Sequence, residues 1–165
     1  MTNAADYDKT INTSKGKFMK NLLLTIAAAL TLSTPVLAEK TPVGVTYDAQ
    51  IIRTTDGDTV VIAAPYLPAP LKPELAVRIF GVDTPEKGFR ALCTSEKQRG
   101  EQASIFTKDV IKATKKHQVV LYSWDKFGGR VLGDIILDGM SLRTLLIKNS
   151  FAREYYGDAK QSWCN

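Results

Sequence analysis

The sequence predicts a mainly β domain with helices (α+β). Five short strands would form a closed Greek-key barrel, with a long helix after strand 3 and a short helix after strand 5. Short β-branched runs are separated by glycine and proline turns, and the apolar period becomes helical after the third run and again after the fifth. In a chain of 165 residues this order fits a barrel of the OB type.

The first three strands are predicted from partial alternation of apolar residues and from the turns between them. Strand 1 covers Val43 to Arg53 and leads into the turn Thr54 to Gly57, since Asp-Gly pairs favour hairpin turns. Strand 2 covers Thr59 to about Ala63. Pro65 to Pro73 contains four prolines and must be a loop, because proline lacks the N–H that a sheet ladder needs. Strand 3 covers Leu75 to Val82.

The long helix is predicted to begin at Ser95, which forms a capping box with Gln98. Apolar residues at helical spacing then define its buried face, which carries Ala103, Phe106, Val110 and Ala113.

The last predicted elements are a hairpin and a short helix. Strands 4 and 5, Val119 to Trp124 and Val131 to Leu137, are joined by a turn that contains Gly128-Gly129. The short helix begins at Ser141, and Asn149 is a suitable stop.

Residues 1–38 are predicted to be a targeting segment rather than part of the fold. Lysines precede the apolar run Leu22 to Leu32, and Val36-Leu37-Ala38 provides a cleavage site. The run is shorter than the roughly 20 residues of a membrane span. We therefore expect a secretory signal peptide, a periplasmic or secreted protein and no stable membrane association after cleavage. Met19 is an alternative start.

Residues 39–165 are predicted to form one domain, which we expect to be a monomer. The net charge of +5 for the whole chain suits an anionic partner but does not identify one. Cys93 and Cys164 would reach an oxidising compartment, where an even pair usually forms a disulfide. Two buried thiols are the alternative.

Several catalytic designs are excluded by composition. His117 is the one histidine of the sequence, so neither a histidine acid–base pair nor a histidine-rich zinc site can be assembled. We expect His117 to be a surface residue. Glycine-rich phosphate loops of the nucleotide-binding kinds do not occur in the sequence.

Carboxylates and arginines cluster in three segments. The first, Asp56-Gly57-Asp58-Thr59, is by itself an ordinary hairpin turn. The second extends from Arg78 to Glu86 and includes Asp83. The third, Asp125 to Arg130, is by itself a solvated hairpin tip.

Gly81 decides whether the second segment can form one site. Strict alternation would place Arg78 and Asp83 on opposite faces of a strand. A bulge at Gly81 would return Asp83 to the side of Arg78, and bulges are frequent beside active sites. Thr84-Pro85 would then end the strand and leave Glu86 on a turn close to Asp83.

In this order around the long helix, the three segments resemble the staphylococcal nuclease-like (thermonuclease) domain family, whose members are OB-fold phosphodiesterases that use calcium. The resemblance extends from about Tyr47 to Tyr156. Members cut DNA and RNA and leave 3′-phosphates. The resemblance therefore implies a Ca²⁺-dependent endonuclease that acts on DNA and RNA. We also expect single-stranded substrate to be preferred.

The resemblance also implies a metal site. Asp58 and Asp83 match its carboxylate ligands, the carbonyl oxygen of Thr84 matches a third ligand, and Asp56 lies close by. Ca²⁺ is a hard ion that prefers oxygen ligands, so this donor set suits it.

Catalytic and substrate-binding roles follow from the same resemblance. Glu86 matches the residue beside the attacking water, and it would orient or deprotonate that water. Arg78 and Arg130 match the two arginines that grip the phosphate, because a guanidinium offers two parallel donors to phosphate oxygens. Substrate-binding roles are assigned to Lys126, Tyr155 and Tyr156, although packing of the tyrosines on the barrel is an equally good interpretation.

The third segment departs from the family pattern at two positions. One extra glycine precedes Arg130, and Phe127 stands where the prototype has a tyrosine, which removes one hydroxyl contact to a phosphate. Two other functions remain open. A non-catalytic single-stranded nucleic-acid binder of the OB fold is the alternative function, and a structural cell-envelope protein is a third.

Overall fold

The computed structural model describes residues 42–164, all within the unit Glu39–Asn165. The predicted signal peptide and the alternative start at Met19 lie outside the described residues. No helix between residues 42 and 164 combines the length and the hydropathy of a membrane span.

Between residues 42 and 164 the chain forms nine strands, two α-helices and one short 3-10 helix, Gly88–Arg90. One sheet has the strand order β1-β6-β7-β4-β3-β2, with β8 added beside β7, and a separate two-stranded sheet pairs β5 with β9. The strands are β1 (Val45–Asp48), β2 (Ile51–Asp56), β3 (Thr59–Ala63), β4 (Glu74–Ile79), β5 (Val82–Asp83), β6 (His117–Trp124), β7 (Arg130–Leu137), β8 (Met140–Ser141) and β9 (Arg153–Glu154). The helices are α1 (Thr94–Ala113) and α2 (Leu142–Lys148).

The predicted mixed α+β class of the OB type is confirmed, but the predicted closure of the barrel is wrong. The first predicted strand divides at Ala49 and Gln50, so that β1 pairs with β6 while β2 pairs with β3. The backbone remains satisfied at the bend, because Ala49 N–H donates to His117 O at 3.0 Å and Gln50 O accepts from Ala63 N–H at 2.9 Å. β1 and β2 are therefore the two edge strands of an open sheet. They are consecutive in sequence, connected by Ala49 and Gln50, but they do not pair with each other.

The predicted third strand, Leu75 to Val82, is also corrected. β4 ends at Ile79, and Gly81 adopts a φ of +75°, a conformation that suits glycine. The expected bulge is therefore a complete break, after which Val82 and Asp83 pair with β9. This break takes Asp83 out of the main sheet.

The long helix begins at Thr94, and its N-cap differs from the predicted capping box. The Sγ of Cys93 accepts from Glu96 N–H at 3.4 Å, so Ser95 is not the cap. Ala103 is fully buried as predicted, but Ala113 is exposed because the buried stripe ends at Ile111.

The short helix follows the prediction. Ser141 is its N-cap and accepts from Thr144 N–H at 3.2 Å, and Asn149 is its C-cap. The ring of Phe151 stacks on Phe106 of α1 at 4.4 Å, which joins the chain after α2 to the long helix.

The core lies between the main sheet and the two helices. Each fully buried valine, leucine or isoleucine contributes about 1.5–3 kcal/mol. The fully buried residues of this core include Val60, Val77, Ile79, Ile135, Leu137, Leu142 and Leu146.

A disulfide confirms the predicted pairing of Cys93 with Cys164 and replaces the alternative of two thiols. The two Cα atoms lie 5.8 Å apart across 71 residues of sequence. Closing a loop of this length stabilises the fold by about 4 kcal/mol in the chain-entropy account. The bridge fixes the C-terminal segment beside the N-terminus of α1.

Candidate active site

A cleft of about 560 Å³ opens where the β2–β3 turn, the end of β4 and the β6–β7 hairpin meet. The three carboxylate–arginine segments of the sequence all contribute to its wall. The predicted residues that line it are Asp56, Asp58, Arg78, Thr84, Glu86, Lys126, Arg130, Tyr155 and Tyr156. Asp83 is the predicted site residue that does not line this cleft.

Asp58 and Arg78 form a buried ion pair at one wall. Thr59 and Arg78 are neighbours in the antiparallel β3–β4 register, which places Arg78 beside the turn that carries Asp58. Arg78 Nη1 lies 2.8 Å from Asp58 Oδ2, and the Asp58 side chain is 4% exposed. Burial raises the pKa of Asp58 to about 7 against the opposing charge of Arg78, and the neighbouring Asp56 carboxylate adds to the rise.

Asp83 is held by the C-terminal segment. Lys160 Nζ lies 2.6 Å from Asp83 Oδ1, and Trp163 Nε1 donates to Asp83 Oδ2 at 3.0 Å. The Asp83 side chain is 7% exposed, so these two contacts cover a buried carboxylate. Both of these partners come from the C-terminal segment, which the expected bulge at Gly81 did not anticipate.

Glu86 lies on a loop that rests against α1. Its N–H donates to Glu96 Oε1 at 3.4 Å, and Lys160 Nζ lies 3.8 Å from its Oε1. The same lysine thus contacts Asp83 and Glu86, which agrees with the expectation that Glu86 is close to Asp83. Gly100 permits this packing, because a Cβ on Gly100 would lie 2.3 Å from Glu86 O.

Arg130 remains in the cleft despite the extra glycine. Gly128 and Gly129 both adopt a φ of +70°, so the two glycines absorb the longer turn. Arg130 Nε donates to Asp125 Oδ2. Burial would raise the pKa of Asp125, but the hydrogen bond and charge of Arg130 outweigh it and hold the pKa below its usual value.

Aromatic side chains surround the cleft. Phe127 is 75% exposed, with Lys126 Nζ 5.1 Å from its ring centre. The Tyr156 hydroxyl accepts from Arg143 at 2.5 Å and its ring meets Phe80 edge-on at 5.8 Å, so this tyrosine is packed as well as cleft-lining. Tyr155 N–H donates to Gly81 O at 3.1 Å, which fixes the C-terminal wall of the cleft.

The carboxylates at this end of the sheet match a hard cation by donor type, although no three of those described have ligand atoms within 4.8 Å of one another. Asp58 and Asp83 are buried carboxylates, and each already has a positive side chain against it. Asp56 Oδ1 is buried, and no described residue donates a hydrogen bond to it. Carboxylate oxygens are the donors that a hard divalent ion prefers. His117 does not line the cleft, and its Nε2 shares a hydrogen bond of 3.1 Å with Thr114 Oγ1.

Several contributors to the site were not predicted. Arg90 contacts Asp56 at 3.3 Å and Glu86 at 3.4 Å, and Trp124 lines the cleft with 69% exposure. Lys160 and Trp163 reach Asp83 from nearly eighty residues away, and no local sequence pattern signals such a contact. The predicted Cys93–Cys164 disulfide did, however, indicate that the C-terminus lies near the second segment.

The fold and the site together define a class, the OB-like domain with a cleft lined by acids and arginines. A family model described as staphylococcal nuclease homologue matches residues 76–163, which is more than half of the chain. The chain belongs to this family. Its members are usually nucleases and typically depend on calcium. The match includes Arg78, Asp83, Glu86 and Arg130 and begins after Asp58. No curated protein matches the chain with significance.

Proposed function

We propose that the protein is a calcium-dependent endonuclease, a phosphodiesterase that hydrolyses DNA and RNA, preferably single-stranded, to 3′-phosphate products. One observation carries this proposal: Arg78 and Arg130 line the same cleft as Asp58 and Glu86. A phosphodiester hydrolase needs cationic donors for the phosphate and a carboxylate for the water, and this cleft has both.

The negative charge of the phosphodiester gives the two arginines of the cleft their proposed role. A phosphodiester is negatively charged and repels a water nucleophile, and the transition state spreads further charge over the equatorial oxygens. Arg78 and Arg130 supply planar donors that match phosphate oxygens. Their ion pairs with Asp58 and Asp125 hold both guanidinium groups in place before substrate binds, which favours preorganised stabilisation of the transition state.

Glu86 is suited to the nucleophilic water. Its side chain is 38% exposed, so water can reach it. In the proposed step, the water oxygen forms a bond to phosphorus while Glu86 accepts a water proton. The bond from phosphorus to the 5′ oxygen breaks, its electron pair stays on that oxygen, and the oxygen takes a proton from solvent. The 3′ side of the cut retains the phosphate.

Asp58, Asp83 and the Thr84 carbonyl would hold Ca²⁺, with Asp56 close by. When bound, the ion would supply Lewis-acid activation and a template for the phosphate. Support for this part of the proposal comes from the oxygen-rich donor set and from the calcium dependence typical of the family.

Single-stranded substrate is favoured by the exposed aromatic residues of the cleft. Trp124 and Phe127 are 69% and 75% exposed beside Lys126, and unpaired bases can stack on such rings. The disulfide suits the proposed periplasmic or secreted location. A monomer is also proposed.

The proposal is tested with single-stranded DNA and RNA in the presence of Ca²⁺ and then of chelator. Cleavage with Ca²⁺ and none with chelator is expected. Asp58→Ala and Asp83→Ala should weaken Ca²⁺ binding and slow cleavage, whereas Asp109→Ala, on the exposed side of α1, should do neither. Binding without cleavage would favour the non-catalytic alternative, and neither binding nor cleavage would favour a structural role.

A further inference from the structure

Lys160 occupies an unusual position for a surface lysine. Its side chain is 47% exposed, yet its ammonium nitrogen lies 2.6 Å from an oxygen of Asp83, whose side chain is 7% exposed. The same nitrogen lies 3.8 Å from Glu86 Oε1. One positive charge from the C-terminal segment is thus shared by a proposed metal ligand and the proposed water-binding carboxylate.

The C-terminal segment that carries Lys160 is held in place by contacts of Trp163 and Cys164. The Cys93–Cys164 disulfide fixes its end, and Arg99 Nη1 donates to Trp163 O at 3.1 Å. The Arg153 guanidinium lies 3.8 Å from the centre of the Trp163 ring. This fastening keeps Lys160 at a high effective concentration beside Asp83.

A buried carboxylate without a partner is costly, so Lys160 stabilises Asp83 when no divalent ion is bound. A divalent ion held by Asp83 would compete with the ammonium group for this carboxylate, because the two positive charges would repel each other. The exposed lysine, in a segment without regular structure, can withdraw into solvent.

We propose that Lys160 is an internal counter-ion that competes with the metal for Asp83 and so sets the affinity of the site for Ca²⁺. The proposal rests on the proposed function in that it takes Asp83 as a metal ligand. It assigns to Lys160 a role that has opposite effects in the two states of the site: it stabilises the metal-free protein and weakens metal binding.

The test compares Lys160→Met with the wild type by calorimetric titration with Ca²⁺ and by chemical unfolding in chelator. Lys160→Met should bind Ca²⁺ about fivefold more tightly, the factor expected for removal of one competing ion pair. It should also be less stable than the wild type when metal-free. If Lys160 had a purely structural role, its replacement would weaken both Ca²⁺ binding and the stability of the metal-free protein.

Two variants control for charge and for location. Lys160→Arg keeps the positive charge and should bind Ca²⁺ nearly as the wild type does. Lys126→Met removes a lysine that lines the same cleft without a carboxylate contact, and it should change the Ca²⁺ affinity less than twofold. Circular dichroism confirms folding of each variant.

Equal or weaker Ca²⁺ binding by folded Lys160→Met would overturn this inference. If cleavage still required Ca²⁺, the proposed function would survive that result. Absence of Ca²⁺ binding in every variant would overturn both the inference and the metal dependence of the proposed function.

Discussion

The indole Nε1 of Trp163 donates a hydrogen bond of 3.0 Å to the buried carboxylate of Asp83, which lies 80 residues earlier in the sequence. The bond leaves the second carboxylate oxygen for a cation and fixes the plane of the group. Orienting contacts behind a metal ligand affect metal affinity as well as geometry. If Asp83 is the metal ligand proposed above, Trp163 is such an orienting residue.

Replacement of Trp163 by phenylalanine should separate this hydrogen bond from ring packing. A phenylalanine ring keeps most of the apolar contact but cannot donate, so Trp163→Phe should weaken Ca²⁺ binding about tenfold or more. It should also lower the free energy of unfolding by about 1–3 kcal/mol. Calorimetry and denaturant titration measure the two effects. Trp124→Phe, at an exposed position, should preserve both, and the same Ca²⁺ affinity in the two variants would refute the role of the bond.

Replacement of Arg78 by lysine should distinguish phosphate geometry from simple charge. Arg78→Lys keeps the charge but loses the planar pair of donors, so the rate of cleavage should fall by about 10³ or more while substrate binding changes less. Arg130→Lys should behave in the same manner. Single-turnover cleavage of one oligonucleotide at saturating Ca²⁺ is the measurement.

Arg53→Lys is the matched control for these substitutions, since Arg53 pairs with Glu74 in an exposed position away from the cleft. Its cleavage rate should equal that of the wild type. A near wild-type rate for folded Arg78→Lys would remove this arginine from the catalytic set, and the same outcome for Arg130→Lys would remove Arg130.

Gly100 should be intolerant of even a methyl group. Alanine normally stabilises a helix relative to glycine by about 1 kcal/mol. A Cβ at this position would lie 2.3 Å from Glu86 O and 2.7 Å from Pro85 O, so the loop that carries Glu86 must move. Gly100→Ala should therefore destabilise the protein and slow cleavage. Thermal unfolding and the cleavage rate test this, with the exposed α1 substitution Gln102→Ala as control; a more stable, fully active Gly100→Ala would disprove the close approach.

The metal-free protein should lose stability as the pH rises from about 4 to about 7. Burial raises the pKa of Asp58 from 3.8 to about 7, and Arg78 offsets only part of this effect. A raised pKa means that the folded protein holds the proton more tightly than the unfolded chain does. The stabilisation is complete below the unfolded pKa and is lost as the pH passes through the folded value.

Unfolding in chelator across this pH range measures the effect. Asp58→Asn does not titrate, so its free energy of unfolding should lack this decline. Parallel pH profiles for the wild type and Asp58→Asn would show that Asp58 is charged throughout and would contradict the raised pKa.

The sequence determined the class of the fold, the order of the main elements and the candidates for the chemistry. Turn residues such as Asp56-Gly57, proline in the loop before β4 and the period of α1 act through local backbone preferences, which a sequence carries directly. The three acid–arginine segments could be selected because their residue types match the needs of a phosphodiester. The pairing of the two cysteines followed from their even number and the expected compartment.

Only the tertiary structure decided how these groups meet. The bend at Ala49 and the break at Gly81 depend on which strand offers backbone partners on each side, and periodicity within one strand does not contain that information. The contacts of Lys160 and Trp163 with Asp83 join residues nearly eighty positions apart through the fold and the disulfide. Likewise, the pKa of Asp58 is raised by desolvation, and desolvation exists only after the chain has closed around the carboxylate.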